Sequence, residues 1–148
     1  MTAPIILTVT RDVAAPPEAV FDAWLDPARA RAFLFATADG EMLAVEIDAR
    51  VGGRALIVER RATGDAHHHL LFDEIERPRR LVFRFRADPA KEGEWTRVAI
   101  DFAARDDGTH LILTHEMDPA WAAYEDQTRH GWTMILANLA ATLETDHG

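Results

Sequence analysis

The chain contains no cysteine and no serine. Without thiols it can build no disulfide framework, thiolate zinc site, iron–sulfur cluster or cysteine nucleophile. Without serine there is no Gly-x-Ser-x-Gly elbow, and a terminal threonine nucleophile at Thr2 has no supporting context. No apolar run approaches the roughly 20 residues that a membrane-spanning helix needs. Met1-Thr2-Ala3-Pro4-Ile5 has no basic region ahead of its short apolar stretch, so no signal peptide is expected. Cations are outnumbered as well. Sixteen Lys+Arg against 25 Asp+Glu give a formal charge of −9, which argues against nucleic acid or an anionic membrane as the main partner. The absence of cysteine suits a reducing cytoplasm. What is present is 148 residues, 48% of them hydrophobic and 28% charged, enough for one core. No repeat, low-complexity segment or linker interrupts them, so a single domain over 1–148 is expected.

Hydropathy period orders the chain. Ile5 to Val13 alternates as a strand, with Ile5, Leu7 and Val9 on one face and Thr8 and Thr10 on the other. Pro16-Pro17-Glu18 opens a short helix carrying Val20, Phe21 and Trp24, since proline suits a first helical turn and a carboxylate favours the dipole there. Asp26-Pro27 starts a second helix, Asp26 as its N-cap, over Ala28 to about Phe35. From Gly40 onward the period is two. Leu43, Val45, Ile47 and Val51 alternate with Glu46, Asp48 and Arg50, ahead of a Gly52-Gly53 turn. Further strands are expected over Arg54–Thr63, Ala66–Glu76, Leu81–Arg86, Val98–Phe102 and Leu111–Thr114, with Asp106-Asp107-Gly108 as a hairpin signal. Short turns between successive strands imply an antiparallel meander. Trp132, Ile135, Leu136, Leu139 and Leu143 then return to helical spacing, with Gly131 on the face of Ile135. A glycine inside a helix costs about 1 kcal/mol relative to alanine. Close backbone approach, or room left for a ligand, would offset it. The fold class is α+β, one amphipathic helix covering a concave antiparallel sheet.

These residues also carry a resemblance. Thr10 to Trp24 followed by Asp26-Pro27, then Val51-Gly52-Gly53, Pro78-Arg79-Arg80-Leu81-Val82-Phe83, Gly108-Thr109-His110-Leu111 and Gly131-Trp132 occur in order over most of the chain. The set resembles the SRPBCC (START/birch-pollen-allergen-like) superfamily, in the branch named after the activator of heat-shock-protein ATPase. The resemblance implies the helix-grip fold: a curved sheet wrapped around the long carboxy-terminal helix, with a cavity among sheet, helix and the two short helices. It implies binding of lipids, sterols, polyketides or hormones, and in a minority of members cyclisation, condensation or dehydration. One stretch departs from the branch. Where a tryptophan–aromatic pair is usual, Arg31-Ala32-Phe33-Leu34-Phe35-Ala36 carries spaced phenylalanines, so ligand preference should differ if it lines the pocket mouth.

Candidate chemistry is sparse. In His67-His68-His69, the strand period puts His67 and His69 on one face and His68 on the other, so at most two could hold one metal. A catalytic zinc usually takes three protein ligands; His110 or His115 would have to add the third. A polar surface stretch is the simpler reading, and neither metal nor cofactor is expected. His115 follows Leu111 and Leu113 at period two and points inward with them, as a hydrogen-bonded core residue or a group that orients a ligand or moves a proton. Glu46, Asp48 and Asp101 point outward. Arg77, Arg79, Arg80, Arg84 and Arg86 form a local basic patch, read as a solvated face. Trp24, Trp95 and Tyr124 come from segments that the helix-grip fold would direct to its interior or mouth. As pocket lining the resemblance points to Phe33, Phe35, Phe83, Phe85, His115, Trp132 and Leu136.

The reading adopted is a non-enzymatic cytoplasmic domain that encloses a small hydrophobic or amphipathic ligand, without nucleic-acid or membrane partners and with a homodimer allowed. Two alternatives stay open: a co-chaperone-like activator whose partner is a chaperone, and a cyclase or hydratase using a cavity acid–base residue. Such a fold predicts a cavity better than it predicts a reaction.

Overall fold

The computed structural model describes residues 4–37, 39–87 and 95–147; Thr2 lies outside them. Strand β1 (Ile5–Val13) is followed by helices α1 (Pro17–Ala23) and α2 (Pro27–Phe33). Strands β2 (Glu41–Ile47), β3 (Arg54–Arg61), β4 (Gly64–Glu76), β5 (Arg80–Ala87), β6 (Thr96–Arg105) and β7 (Gly108–Met117) come next. A 3₁₀ helix over Pro119–Tyr124 leads into α3 (Glu125–His147). The strands form one antiparallel sheet in the order β1-β7-β6-β5-β4-β3-β2. The sheet is not closed: β1 and β2 are its two edges. This is the helix-grip architecture expected from the sequence.

Local chemistry sets the boundaries. Asp26 caps α2 as expected, its carboxylate accepting from the Ala28 N–H at 3.0 Å, with Pro27 at the first helical position. Asp118 caps the 3₁₀ helix in the same way at 2.8 Å. At the β6–β7 hairpin Gly108 has φ +151°, and a Cβ there would collide with the Val13 carbonyl of β1. Only glycine lets the hairpin approach the edge strand so closely.

One core joins the sheet's inner face to the helices. Leu111 and Leu113 of β7, Val98, Ile100 and Phe102 of β6 and Leu81 and Phe83 of β5 meet Trp132, Ile135, Leu136, Leu139 and Leu143 of α3. Phe21 of α1 packs edge-on against Phe102, and Trp24 against Phe33 of α2. Each fully buried Leu or Phe contributes roughly 1.5–3 kcal/mol.

Three sequence expectations shift. A register break between Met42 and Ala44 turns Leu43 outward, where it is exposed, while Met42, Val45 and Ile47 face the core. Val51 lies in the turn beyond β2 and is exposed, not a strand residue. Helix α2 ends at Phe33, and Phe35 adopts φ +58° instead of continuing it.

Candidate functional site

Strand register gathers the inward polar residues at one end of the sheet. Phe85 of β5 lies opposite Thr96 of β6, and Val98, two residues on, lies opposite His115 of β7. On the other side Leu70 of β4 is opposite Phe85, and His68 of β4 is opposite Ile57 of β3. Period two then places Ile57 and Glu59, His68, Phe85, Thr96 and His115 on the same inner face. Trp132 of α3 closes over them, with ring centroids 5.9 Å from His115 and 6.1 Å from Phe85.

His115 is buried and fully hydrogen-bonded. The Trp132 indole Nε1–H donates to its Nδ1 at 2.9 Å. An indole nitrogen can only donate, so Nδ1 carries the lone pair and Nε2 the proton. That Nε2–H lies 2.7 Å from Thr96 Oγ1, which accepts it and donates onward to the Phe85 carbonyl at 3.0 Å. The relay leaves no ring nitrogen for a substrate. Burial pushes the His115 pKa down to about 4, so the ring is neutral at physiological pH. His115 is a positioned neutral ring with both nitrogens committed.

A second buried imidazole faces Phe35. The Nδ1–H of His68 donates to the Ile57 carbonyl at 3.2 Å, and burial pushes its pKa down to about 4 despite that bond. The Phe35 ring stacks on it at a centroid distance of 4.1 Å and an interplanar angle of 3°. Phe35 also stacks on Phe85 at 5.1 Å and meets Trp132 at 5.6 Å. The segment after α2 is fastened by the buried carboxylate of Glu59. It accepts from the Thr37 N–H at 2.6 Å, the Thr37 hydroxyl at 3.0 Å and Arg61 Nε at 2.6 Å, while Arg61 Nη2 donates to the Phe35 carbonyl at 3.2 Å. Burial opposes the charge on Glu59, but the Arg61 and Thr37 bonds outweigh it and hold the carboxyl below its ordinary pKa.

Beside this aromatic cluster a cleft of about 200 Å³ opens between the ends of β5–β7 and the start of α3. Phe85, Met117, Trp121 and Tyr124 form its apolar walls; Thr96, His115, Gln127 and Thr128 are among its polar ones. Of the residues the sequence pointed to as lining, Phe35, Phe85, His115 and Trp132 come together here, and Phe85 and His115 reach the cleft. Phe33, Phe83 and Leu136 do not line it. Phe33 is buried against Trp24, Phe83 packs against Phe72, and Leu136 is buried in the core on the inner side of α3.

The polar-surface reading of His67-His68-His69 fails at His68, which is buried on the inner face. Sequence reasoning passed over Thr96, Glu59 and Trp121. A signal was present for His68, Thr96 and Glu59: His68 precedes Leu70 and Phe72 at period two, Thr96 precedes Val98, Ile100 and Phe102, and Glu59 follows Ala55 and Ile57. Trp121 is positioned by the 3₁₀ helix, which has no hydropathy period to show it.

Other candidates resolve differently. Among the described residues no three His, Asp or Glu side chains converge as a metal site, and no helix is long and apolar enough to cross a membrane. The arginine run is laced with acids: Arg77 chelates Asp22 at 2.8 and 2.9 Å, Arg79 meets Glu76, Arg80 meets Asp101 and Arg84 meets Asp73. Trp95 stands on the outer face, not at the interior or mouth, with the guanidinium groups of Arg54 and Arg86 5.8 and 5.0 Å from its ring. Tyr124 is at the mouth, half exposed, against Trp121.

Comparison with known proteins matches this architecture. A protein from Chromobacterium violaceum is 28% identical, with 95% of this chain and 99% of that one covered and a TM-score of 0.84. An AHSA1-like protein from Aeromonas hydrophila is 24% identical over 97% of this chain and 94% of its own, with a TM-score of 0.78. A protein of the dynemicin biosynthetic locus is 21% identical over 95% of this chain but 48% of its own, with a TM-score of 0.76. At 24% and 21% identity the last two likenesses concern the fold alone. No curated protein matches. The family model described as Activator of Hsp90 ATPase homolog 1-like protein matches residues 14–144, and the chain belongs to that family, within the SRPBCC superfamily.

Proposed function

We propose that the protein binds a small, mainly apolar ligand with one hydrogen-bonding group in the cleft between β5–β7 and α3. The cleft itself carries the reading: a concave space with an aromatic and thioether wall and a few convergent polar groups. A dry apolar cavity of about 150 Å³ holds benzene, so about 200 Å³ suits one substituted ring. Burying roughly 150 Å² of aromatic surface at about 25 cal/mol per Å² gives about 4 kcal/mol before the cost of association. That corresponds to a Kd no tighter than about millimolar from apolar burial alone, and polar contacts to Thr96, Gln127 or Thr128 would add to it. His115 supports binding over acid–base catalysis, because both its nitrogens are engaged within the protein. A cytoplasmic setting fits the cysteine-free composition.

Titration of ¹⁵N-labelled protein with p-cresol tests the reading. Shifts should cluster on Thr96, Met117, Thr128 and the Trp121 indole, and Thr128→Trp, which fills the cleft, should suppress them. Shifts spread over the surface, or undiminished in the Thr128→Trp variant, would sink it.

The family's description also names an activator of a chaperone ATPase. That role needs a contiguous docking face, whereas among the described residues the large exposed apolar side chains belong to separate elements: Ile6 to edge strand β1, Leu43 to the opposite edge β2, Val51 to a turn, Tyr124 to the 3₁₀ helix at the cleft mouth and Met134 to α3. Addition of the protein is expected to leave Hsp90 ATP hydrolysis unchanged; a reproducible stimulation would favour the activator reading.

A further inference from the structure

The Phe35 ring occupies the space directly behind the cleft wall. Its backbone is in the left-handed region at φ +58°, which bulky side chains rarely adopt and which persists only where the surroundings impose it. The surroundings do so here through Arg61 on its own carbonyl and through Glu59 on Thr37, two residues further along. The result is a buried ring packed against two others, 4.1 Å from His68 and 5.1 Å from Phe85, which are themselves 6.3 Å apart. Phe85 is the shared wall, facing the cleft on one side and Phe35 on the other.

We infer that Phe35 is the size-determining residue of the ligand site, its ring filling the hollow behind Phe85 and holding the cleft to one-ring ligands. The inference rests on the binding reading above. Without the Phe35 ring, Phe85 can turn into the vacated space and the cleft extends inward to the His68 ring. The imidazole face then meets an aromatic ligand in place of Phe35. Its Nδ1–H stays committed to Ile57, so Nε2 presents a lone pair. The enlarged site therefore suits a two-ring aromatic that carries a hydroxyl donor, and the native site a single-ring one.

Calorimetric titration of the native protein, Phe35→Ala and Phe35→Leu with p-cresol and with naphthol separates the possibilities. Pocket enlargement by a ring is expected to improve naphthol binding in Phe35→Ala by about tenfold or more, with p-cresol changed by less than about threefold. Phe35→Leu, which keeps much of the volume, should fall between the two. Folded Phe35→Ala that binds p-cresol but gains nothing for naphthol overturns the inference while leaving the binding reading intact. Native protein that binds no p-cresol overturns the binding reading itself. Should Phe35→Ala fail to fold, Phe35→Leu with native affinity for naphthol overturns the inference by itself.

Discussion

The indole N–H of Trp132 donates to Nδ1 of His115 at 2.9 Å, a bond between the carboxy-terminal helix and the strand beside the sheet edge. It fixes three things together: the rotation of α3, the tautomer of the imidazole and the direction of the Nε2–H toward Thr96. Replacing tryptophan by phenylalanine keeps most of the ring packing and removes the donor. A buried acceptor left unpaired costs about 1–3 kcal/mol, so Trp132→Phe should lower stability by that amount in urea unfolding. An unchanged midpoint would show that the bond does not hold the helix to the sheet.

Stability should fall as solutions are acidified from neutrality. The ordinary histidine pKa is 6.5, and in the folded protein burial lowers it to about 4 for both His68 and His115. Between those values the unfolded chain binds protons that the folded one does not, so the stability present above pH 6.5 is lost progressively toward about 4. The loss can reach about 3 kcal/mol per ring at 1.36 kcal/mol per unit. Asp22, held below its ordinary range by Arg77, and Glu59, held there by Arg61 and Thr37 against the opposing effect of burial, withdraw their contributions at still lower pH. Urea midpoints at pH 7 and about pH 5 check the sign, and histidine ring resonances identify the residues. Titration of both rings near 6.5 would contradict the burial argument.

At position 35 the usual order of alanine and glycine should reverse. Losing the buried ring costs roughly 3–5 kcal/mol in either variant. Alanine keeps the left-handed strain of about 1–2 kcal/mol, while glycine is free of it. Phe35→Gly is therefore expected to be about 1 kcal/mol more stable than Phe35→Ala by chemical denaturation, after allowing for the greater unfolded-chain freedom of glycine.

Glu59 should be among the costliest polar residues to change. Its carboxylate is almost wholly buried and bridges β3 to the segment carrying Phe35. Glu59→Gln removes the charge that offsets Arg61 and should destabilise by about 2–3 kcal/mol. Gly40→Ala should act through the same group, since a Cβ there would collide with the Glu59 carboxylate. A double-mutant cycle then gives a combined loss smaller than the sum.

Gly131 makes the opposite prediction. A Cβ at this position of α3 would meet nothing within 4 Å, so no close backbone approach requires the glycine. Gly131→Ala should raise stability by up to about 1 kcal/mol through helix propensity. If the variant is more stable yet binds p-cresol less well, the open space at residue 131 is space that the ligand uses.

Much of the fold was legible in the sequence because burial on one face writes a period into the chain. Period two marked β3 to β7, spacings of three and four marked α3, and Asp26-Pro27 marked the start of α2. The same period turned His115 inward, and it would have done so for Thr96, Glu59 and His68 had polar residues been followed as closely as apolar ones. It failed at Leu43, where a register break changes the phase, and at Phe35, where helical spacing continues past the point at which the backbone turns left-handed.

By itself, the sequence determined the order of the strands and α-helices, most of their inward faces and the absence of thiol and serine chemistry, because each depends on composition or on neighbours a few residues apart. Only the tertiary structure decided which inward residues meet. Thr96, His115 and Trp132 are far apart along the chain, and their hydrogen bonds follow from strand register and from where α3 lies. Tertiary packing also placed Phe35 against His68 behind the cleft. Those contacts depend on distances across the sheet, which a one-dimensional pattern does not encode.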